Sequence, residues 1–210
     1  MISTSYGDDE QTVLCAYAIH VCTGMAALGA CRVSLLFSSG DCGIGDTNSN
    51  PAMQVLSDLF NQGAQQPILT KSVTSVGGVV SIPEIAVPFS SGGFSNYFAH
   101  PVYQEAAVSA YLVMLAPHTY EVDLLSPAPD VHLLMWQHNQ TISLLFFKAP
   151  LGFLNPFLYS IGYMALNDIT DGNNPGCGTL GFNATVGWDP VTGYSTPNFK
   201  KLKDLVLAMP

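Results

Sequence analysis

The sequence predicts an α/β fold in which helices pack on a mostly parallel sheet. Two observations carry this expectation. The continuous apolar run "RVSLLF" at Arg32–Phe37 directly follows a segment of helical periodicity. A run without polar alternation marks a strand buried on both faces, and a helix feeding such a strand implies crossover connections. The composition agrees. Of 210 residues, 48% are hydrophobic and 10% charged, against about a quarter charged in ordinary domains. Such a chain can bury a large core and falls outside the disordered class; its length fits one domain or a piece of a larger one.

The elements follow in order. "ISTSYG" after Met1 is strand-like. Asp9 to Gly29 reads as a helix, with Asp8, Asp9 and Glu10 at its start, where acidic groups favour the helix dipole. Val13, Tyr17, His20, Val21, Met25 and Leu28 recur at helical spacing, and Gly29 is the expected C-cap. His20 is read as a packing residue rather than a ligand. The strand at Arg32–Phe37 runs into "SSGD" (Ser38–Asp41). Open α/β sheets bind ligands just beyond strand C-termini, which makes this loop the first place to look for chemistry. Residues 42–70 are loop-rich, with a helical segment near Met53–Phe60. "KSVTSVGGV" (Lys71–Val79) is a second strand, "FSSGGFSNYF" (Phe89–Phe98) a glycine turn, and "PVYQEAAVSAYLVML" a helix opened by Pro101. Pro117–Lys148 fits neither helical nor strand spacing. "LGFLNPFLYSIGYMAL" reads as a helix entered at Pro156, and "TPNFKKLKDLVLAM" as a terminal helix with Pro197 near its start. Between them lies an acidic, glycine-rich loop, Asn167–Gly193, with three aspartates and no Lys, Arg or His. No internal repeat is visible.

Charge and cysteine content narrow the function classes. Six Lys and Arg against fifteen Asp and Glu give a net charge of −9. Nucleic acid is therefore not an expected partner, because phosphate binding needs a basic surface. Near pH 4 roughly half the carboxylates are protonated and the histidines charged, so an acidic milieu brings the chain toward neutrality. No apolar run reaches the roughly 18 residues of a membrane span. "MISTSYGDDEQTV" has neither the basic nor the apolar region of a signal peptide, and the strand-like opening reads as the interior of something longer. The five cysteines, Cys15, Cys22, Cys31, Cys42 and Cys177, include no CxxC pair, so a structural zinc site is not expected. Cys15 and Cys22 lie two helical turns apart, too far to bridge. Buried thiols and a single disulfide, such as Cys42–Cys177, both stay open. Two N-glycosylation triplets occur, Asn139-Gln-Thr141 and Asn183-Ala-Thr185.

Several segments, in this order, resemble the sedolisins (serine-carboxyl peptidases), above all the secreted fungal tripeptidyl peptidases. They are "TSYGDDE" (Thr4–Glu10), "VSLLFSSGD" (Val33–Asp41), "TSVG" (Thr74–Gly77), "FSSGGFSNYF", "YQEAAVSAYL" (Tyr103–Leu112), "APLGFLNPFLY" (Ala149–Tyr159), "NDIT" (Asn167–Thr170) and "GWDPVTGYSTPNF" (Gly187–Phe199). The resemblance implies a subtilisin-like fold, a mostly parallel sheet flanked by helices. It also implies a serine nucleophile, a glutamate base oriented by an aspartate, an oxyanion-hole aspartate, activity at acid pH, and a calcium ion near the C-terminus. A glutamate base suits acid conditions, since it stays partly ionised where histidine is fully protonated. An aspartate serves an oxyanion as the neutral acid, donating its O–H.

By this resemblance Asp41 of "SSGD" is the oxyanion-hole aspartate. The calcium ligands are the carboxylates of Asp168 and Asp189 and the carbonyls of Ile169 and Gly187, with Thr185 as a further carbonyl. Asp171 is expected to be solvent-exposed. The rest of the catalytic set does not carry over. The family's Gly-Thr-Ser occurs nowhere in the chain, and no Glu has an Asp four residues later. Without a nucleophile and its base, covalent acyl transfer has no route. The block that holds the serine is expected to be missing within the Pro117–Lys148 region.

These readings make residues 1–210 a partial, incomplete sedolisin-type peptidase domain. The chain is a fragment or degenerate member of an extracellular acid peptidase family that acts on peptides and proteins. It keeps one Ca²⁺ site and the oxyanion aspartate and is inactive as it stands. The alternative is a non-catalytic calcium-binding pseudopeptidase that serves as a binding module. An unrelated cysteine-dependent enzyme built on Cys42 and His100 gains no support from spacing.

Overall fold

The computed structural model describes residues 1–6, 13–44, 72–95, 97–115, 150–176 and 180–209. The segment near Met53–Phe60, the Pro117–Lys148 stretch, Asn139 and Cys177 lie outside the described residues. Strand β1 (Ile2–Thr4) leads to helix α1 (Cys15–Ala30), which returns the chain to β2 (Leu35–Ser38), parallel to β1. Strand β3 (Thr74–Val76) joins the other side of β2, also parallel, giving the order β1-β2-β3. Ile2 pairs with Leu35, and Leu36 with Thr74. The parallel sheet expected from the apolar run is thus present, and its strand C-termini share one edge. A hairpin of β4 (Val79–Val80) and β5 (Ile85–Ala86) follows. A 3-10 turn at Val102–Gln104 opens helix α2 (Glu105–Leu115). Helix α3 (Asn155–Ser160) and a second 3-10 turn (Gly162–Ala165) lead to β6 (Leu166–Asn167), antiparallel to β7 (Thr196–Pro197). Helix α4 (Phe199–Ala208) ends the described chain.

Three expectations about helices are corrected. First, α1 begins at Cys15, after the extended Leu14, so its first turn holds no acidic residue; Asp8, Asp9 and Glu10 lie outside the described residues. Its inner face is Ala18, Val21, Cys22 and Met25, while Tyr17 and His20 are exposed. His20 is therefore not a packing residue. Second, Gly29 is not the cap. The helix runs past it, and Gly29 lets Phe153 approach, since an added Cβ would sit 3.2 Å from the Phe153 Cβ. The left-handed position is Arg32 (φ 61), with Arg32 N–H donating to Gly29 O and Val33 N–H to Leu28 O, both at 3.0 Å. This is a Schellman closure with a non-glycine at its strained position. Third, the helix entered at Pro156 lasts six residues and gives way to the 3-10 turn at Ile161 (φ −140). In α4, Asn198 is the N-cap, its side chain accepting from Lys201 N–H at 3.1 Å, and Pro197 belongs to β7.

The main core gathers Leu36 of the sheet, Ala107, Val108 and Tyr111 of α2, Leu154, Leu158 and Tyr159 around α3, Trp188, and Leu202 of α4. Asn155, buried among them, ties α3 to the sheet edge. Thr74 Oγ1 donates to its carboxamide oxygen at 2.6 Å, and its amide donates to Val73 O at 2.8 Å. The Asn of "GFLNP" thus stitches the N-terminus of α3 to β3, an edge strand of this sheet.

Arg32 gives the test of this account. An L-residue in the left-handed region costs about 1–2 kcal/mol, a strain that glycine relieves while adding some unfolded-chain entropy. Arg32→Gly should raise stability by about 1 kcal/mol, read as a higher urea midpoint with an unchanged slope.

Candidate functional site

Two loops hold the residues singled out by the sequence. The first follows β2 at the C-terminal edge of the sheet. Ser39 N–H donates to Val76 O at 2.9 Å, extending the β2–β3 ladder by one bond. The chain then turns away at Gly40 (φ 101) and is clamped by the "SSGG" turn. Ser91 N–H donates to Gly40 O at 3.3 Å, Cys42 N–H to Ser91 Oγ at 3.3 Å, and Gly43 N–H to Phe89 O at 3.1 Å. Ser90 and Ser91 are buried, and Ser90 Oγ accepts from Gly78 N–H at 3.1 Å. Buried hydroxyls need partners, and here that of Ser91 is spent on the backbone of the loop and that of Ser90 on Gly78, beyond β3. Asp41 stands at the end of this arrangement, exposed, and accepts no hydrogen bond among the described residues.

The second loop is Asn167–Gly193, and its centre is Asp189. This side chain is 0% exposed. Its Oδ1 accepts from Val191 N–H at 2.9 Å and Thr192 N–H at 2.8 Å, and its Oδ2 accepts from Thr185 N–H at 3.0 Å. The Thr192 hydroxyl lies 3.0 Å from Oδ2 and 3.1 Å from Oδ1. The backbone closes the same turn, with Gly193 N–H donating to Asp189 O at 2.9 Å. Burial pushes the Asp189 carboxyl up to about 6 from an ordinary 3.8, against the pull of its hydrogen bonds from Thr185, Thr192 and Val191. Desolvation wins because each donor is neutral. Burial, and to a lesser extent the Asp189 carboxylate, raises the Tyr111 phenol as well.

Asp168 meets this centre through the segment 185–187. Gly187 N–H donates to Asp168 Oδ2 at 2.9 Å, two residues beyond the amide that holds Asp189. The two carboxylates therefore flank one tripeptide. A second tie runs through Ser195, whose hydroxyl accepts from Ile169 N–H at 2.9 Å and lies 3.1 Å from Thr192 Oγ1. Gly187 has φ 89, a conformation that glycine adopts without cost, and the space beside it is open. Among the described residues, the carbonyl oxygens of Ile169, Thr185 and Gly187 accept no hydrogen bond. Thr185 Oγ1 is also buried without a partner. Among the described residues the ion pair joins His100 to Glu105, away from this network, and no cationic side chain pairs with Asp189. No group of three or more His, Cys, Asp or Glu side chains forms among the described residues.

The structure thus brings Asp168, Ile169, Gly187 and Asp189 into one network and leaves Asp41 on the other loop. The loops touch where Ile44 N–H donates to Asn174 O at 3.2 Å. Asp171 is exposed, as expected, and its carbonyl accepts from Ala86 N–H at 2.9 Å. The sequence reading missed Thr192, Ser195, Ser90 and Ser91. The available signal was "DPVT", in which a Thr three residues after an Asp can close on its carboxylate. No disulfide joins the four described cysteines, Cys15, Cys22, Cys31 and Cys42.

No protein-family model matches the chain. Individual proteins do. Tripeptidyl-peptidase SED4 of Arthroderma otae is 38% identical over 256 residues, covering 99% of this chain and 42% of the relative. Tripeptidyl-peptidase sed4 of Aspergillus fumigatus is 35% identical over 270 residues, covering 100% of this chain and 44% of the relative. Among solved structures, Pseudomonas sedolisin, a serine-carboxyl proteinase complexed with two molecules of pseudo-iodotyrostatin, aligns with a TM-score of 0.60 at 19% identity. That alignment covers 99% of this chain and 65% of that one. The fold is therefore shared with a serine-carboxyl proteinase. More particularly, the chain belongs to the sedolisin family, on the side of the fungal tripeptidyl peptidases. It spans less than half the length of the curated relatives it matches.

Asp189 makes stability depend on pH in a stated direction. Its folded value lies above its unfolded one, so between about pH 4 and 6 the folded state binds more protons than the unfolded state. Stability of the metal-free chain should therefore fall as pH rises through that window, by about 3 kcal/mol for roughly two pH units. Urea midpoints in chelator at pH 4 and pH 7 check this. Asp189→Asn should flatten the slope whatever it does to absolute stability, and equal slopes in both proteins would refute the assignment.

Proposed function

We propose that this chain is an incomplete sedolisin-type peptidase domain that retains the metal-holding end of the family's fold and lacks the groups that cut peptides. The observation that carries the reading is the Asp168–Asp189 network: two carboxylates flanking one tripeptide, one of them buried with no cation among the described residues. The donor set suits calcium, which takes six to eight oxygens from carboxylates, carbonyls and water. Asp168 and Asp189 would supply the carboxylates, and Ile169, Gly187 and Thr185 the carbonyls, three oxygens without hydrogen-bond donors among the described residues. When bound, the ion supplies positive charge beside Asp189 and a link between residues 168–169 and 185–189. The protein's own part is to align both carboxylates, through Thr192, Ser195 and the amides of Thr185 and Gly187.

Asp41 keeps the place of the oxyanion-hole aspartate, beyond the C-terminus of β2 in a subtilisin-like sheet. Its O–H would donate to an oxyanion, but an oxyanion arises only when a nucleophile attacks. The sequence contains no Gly-Thr-Ser and no Glu-x-x-x-Asp. The match to SED4 runs over 256 residues, more than the 210 of this chain, which supports a missing block. Exposed apolar side chains support incompleteness too: Ile2 of β1, Leu14 before α1, and Tyr17 and Ile19 on α1. The parent activity is release of tripeptides from peptides and proteins in an acidic extracellular setting.

A peptidase assay of the purified chain at pH 3–5, with and without calcium, tests the reading. Turnover should not exceed that of a boiled control. Turnover well above it would mean that a nucleophile exists outside the family's motif, and the proposal would fall.

A further inference from the structure

We propose that Asn183 is a site of N-glycosylation, carried on the outer side of the Asn167–Gly193 loop. The triplet Asn183-Ala184-Thr185 is an acceptor for oligosaccharide transfer in a chain that enters the secretory lumen. The proposal rests on the extracellular part of the reading above.

A triplet alone is common by chance, and for Asn183 the fold adds support. Asn139 lies outside the described residues. Asn183 is exposed, and its side chain makes no hydrogen bond among the described residues. Its backbone, by contrast, is fixed. Asn183 bridges Asn173, and the next residue, Ala184, is buried with its N–H donating to Gly172 O at 2.9 Å. The Asn173 side chain donates to Leu180 O at 2.8 Å, which closes the same patch. The chain thus turns Ala184 inward and leaves the Asn183 carboxamide outside, where a large polar substituent displaces nothing. Two apolar side chains rise on either side of it in sequence, Leu180 and Val186, each 79% exposed. A glycan between them would cover apolar surface that the protein itself leaves to water.

The chemistry closes without an oxidant or reductant. Asn183 Nδ2 bonds to the anomeric carbon of a lipid-diphosphate-linked oligosaccharide. The bond from that carbon to the diphosphate oxygen breaks, the lipid diphosphate leaves with the electron pair, and one Nδ2 proton passes to a base. The transfer precedes folding, because the Thr185 hydroxyl that completes the triplet is buried in the folded chain.

That same burial supplies a clean control. Thr185 Oγ1 bonds nothing, and the Asp189 contact uses the Thr185 backbone. Thr185→Val therefore destroys the triplet while keeping shape and every hydrogen bond. The full chain is expressed in yeast behind a secretory leader, and both secreted and membrane-retained material is treated with an N-glycan amidase in ¹⁸O-water before peptide mass spectrometry. Asn183 should be converted to ¹⁸O-labelled aspartate in the wild type and in Thr185→Ser, and should stay unlabelled in Thr185→Val and Asn183→Gln. An unlabelled Asn183 in lumen-delivered wild type, or label that survives Thr185→Val, would overturn the proposal. Because the leader is supplied, neither outcome depends on how the chain is exported naturally. The peptidase result is independent of both.

Discussion

The Asp189 carboxylate has no access to water, and an ionised carboxylate in such a place costs several kcal/mol unless it is paired or well bonded. The C-terminal part of the chain is arranged around that cost. Three backbone amides and one hydroxyl point at the two oxygens. All are neutral, so they soften the desolvation without removing it, and the carboxyl stays raised to about 6. A cation at the open side of the network would complete the compensation. This is why the arrangement of Thr185, Gly187 and Asp168 next to Asp189 carries more weight than the acidic composition of the loop.

The loop can hold this group because it is anchored in the core on both sides of it. Trp188 precedes Asp189 and is buried, its indole N–H donating to Tyr159 OH at 3.1 Å and its ring edge-on to Tyr111 at 5.7 Å. Tyr194 follows and packs against Tyr159 at 5.2 Å. Val191 and Ala184 pack with Ala86 of β5, so the hairpin supports the loop from below. The result is an irregular segment packed like a core element, which an oxygen-rich ion site would need in order to keep its ligands in place.

Much of this was legible in the sequence. The parallel sheet followed from one unalternating run, "RVSLLF", and the helix after Pro101 from its spacing. Asp168 and Asp189 were named through resemblance, and hydrogen bonding through segment 185–187 joins them. What was not legible has physical reasons. The start of α1 depends on where the chain leaves β1, and no local signal in "DDEQTVLC" fixes it. Gly29 looked like a cap because glycine usually is one, but its value here is to admit Phe153, a contact 124 positions away. The helix α3 ends after six residues where the backbone leaves helical geometry at Ile161, although periodicity continues unbroken in the sequence. Thr192 and Ser195 were passed over because short hydroxyl side chains serve in so many ordinary turns.

The molecule separates two properties that travel together in a working peptidase. One is the proposed ion site, the carboxylate network of Asp168 and Asp189 within a single loop. The other is a nucleophile with its base, whose motifs this sequence does not contain. The central claim concerns the first: that the buried Asp189 charge is balanced by calcium. Isothermal titration of Ca²⁺ into the chelator-stripped chain near neutral pH addresses it most directly. The account predicts one ion per chain, with affinity at least about tenfold weaker in Asp189→Asn and in Asp168→Asn, a loss of about 1.4 kcal/mol or more. No binding, or binding that ignores both substitutions, would contradict it.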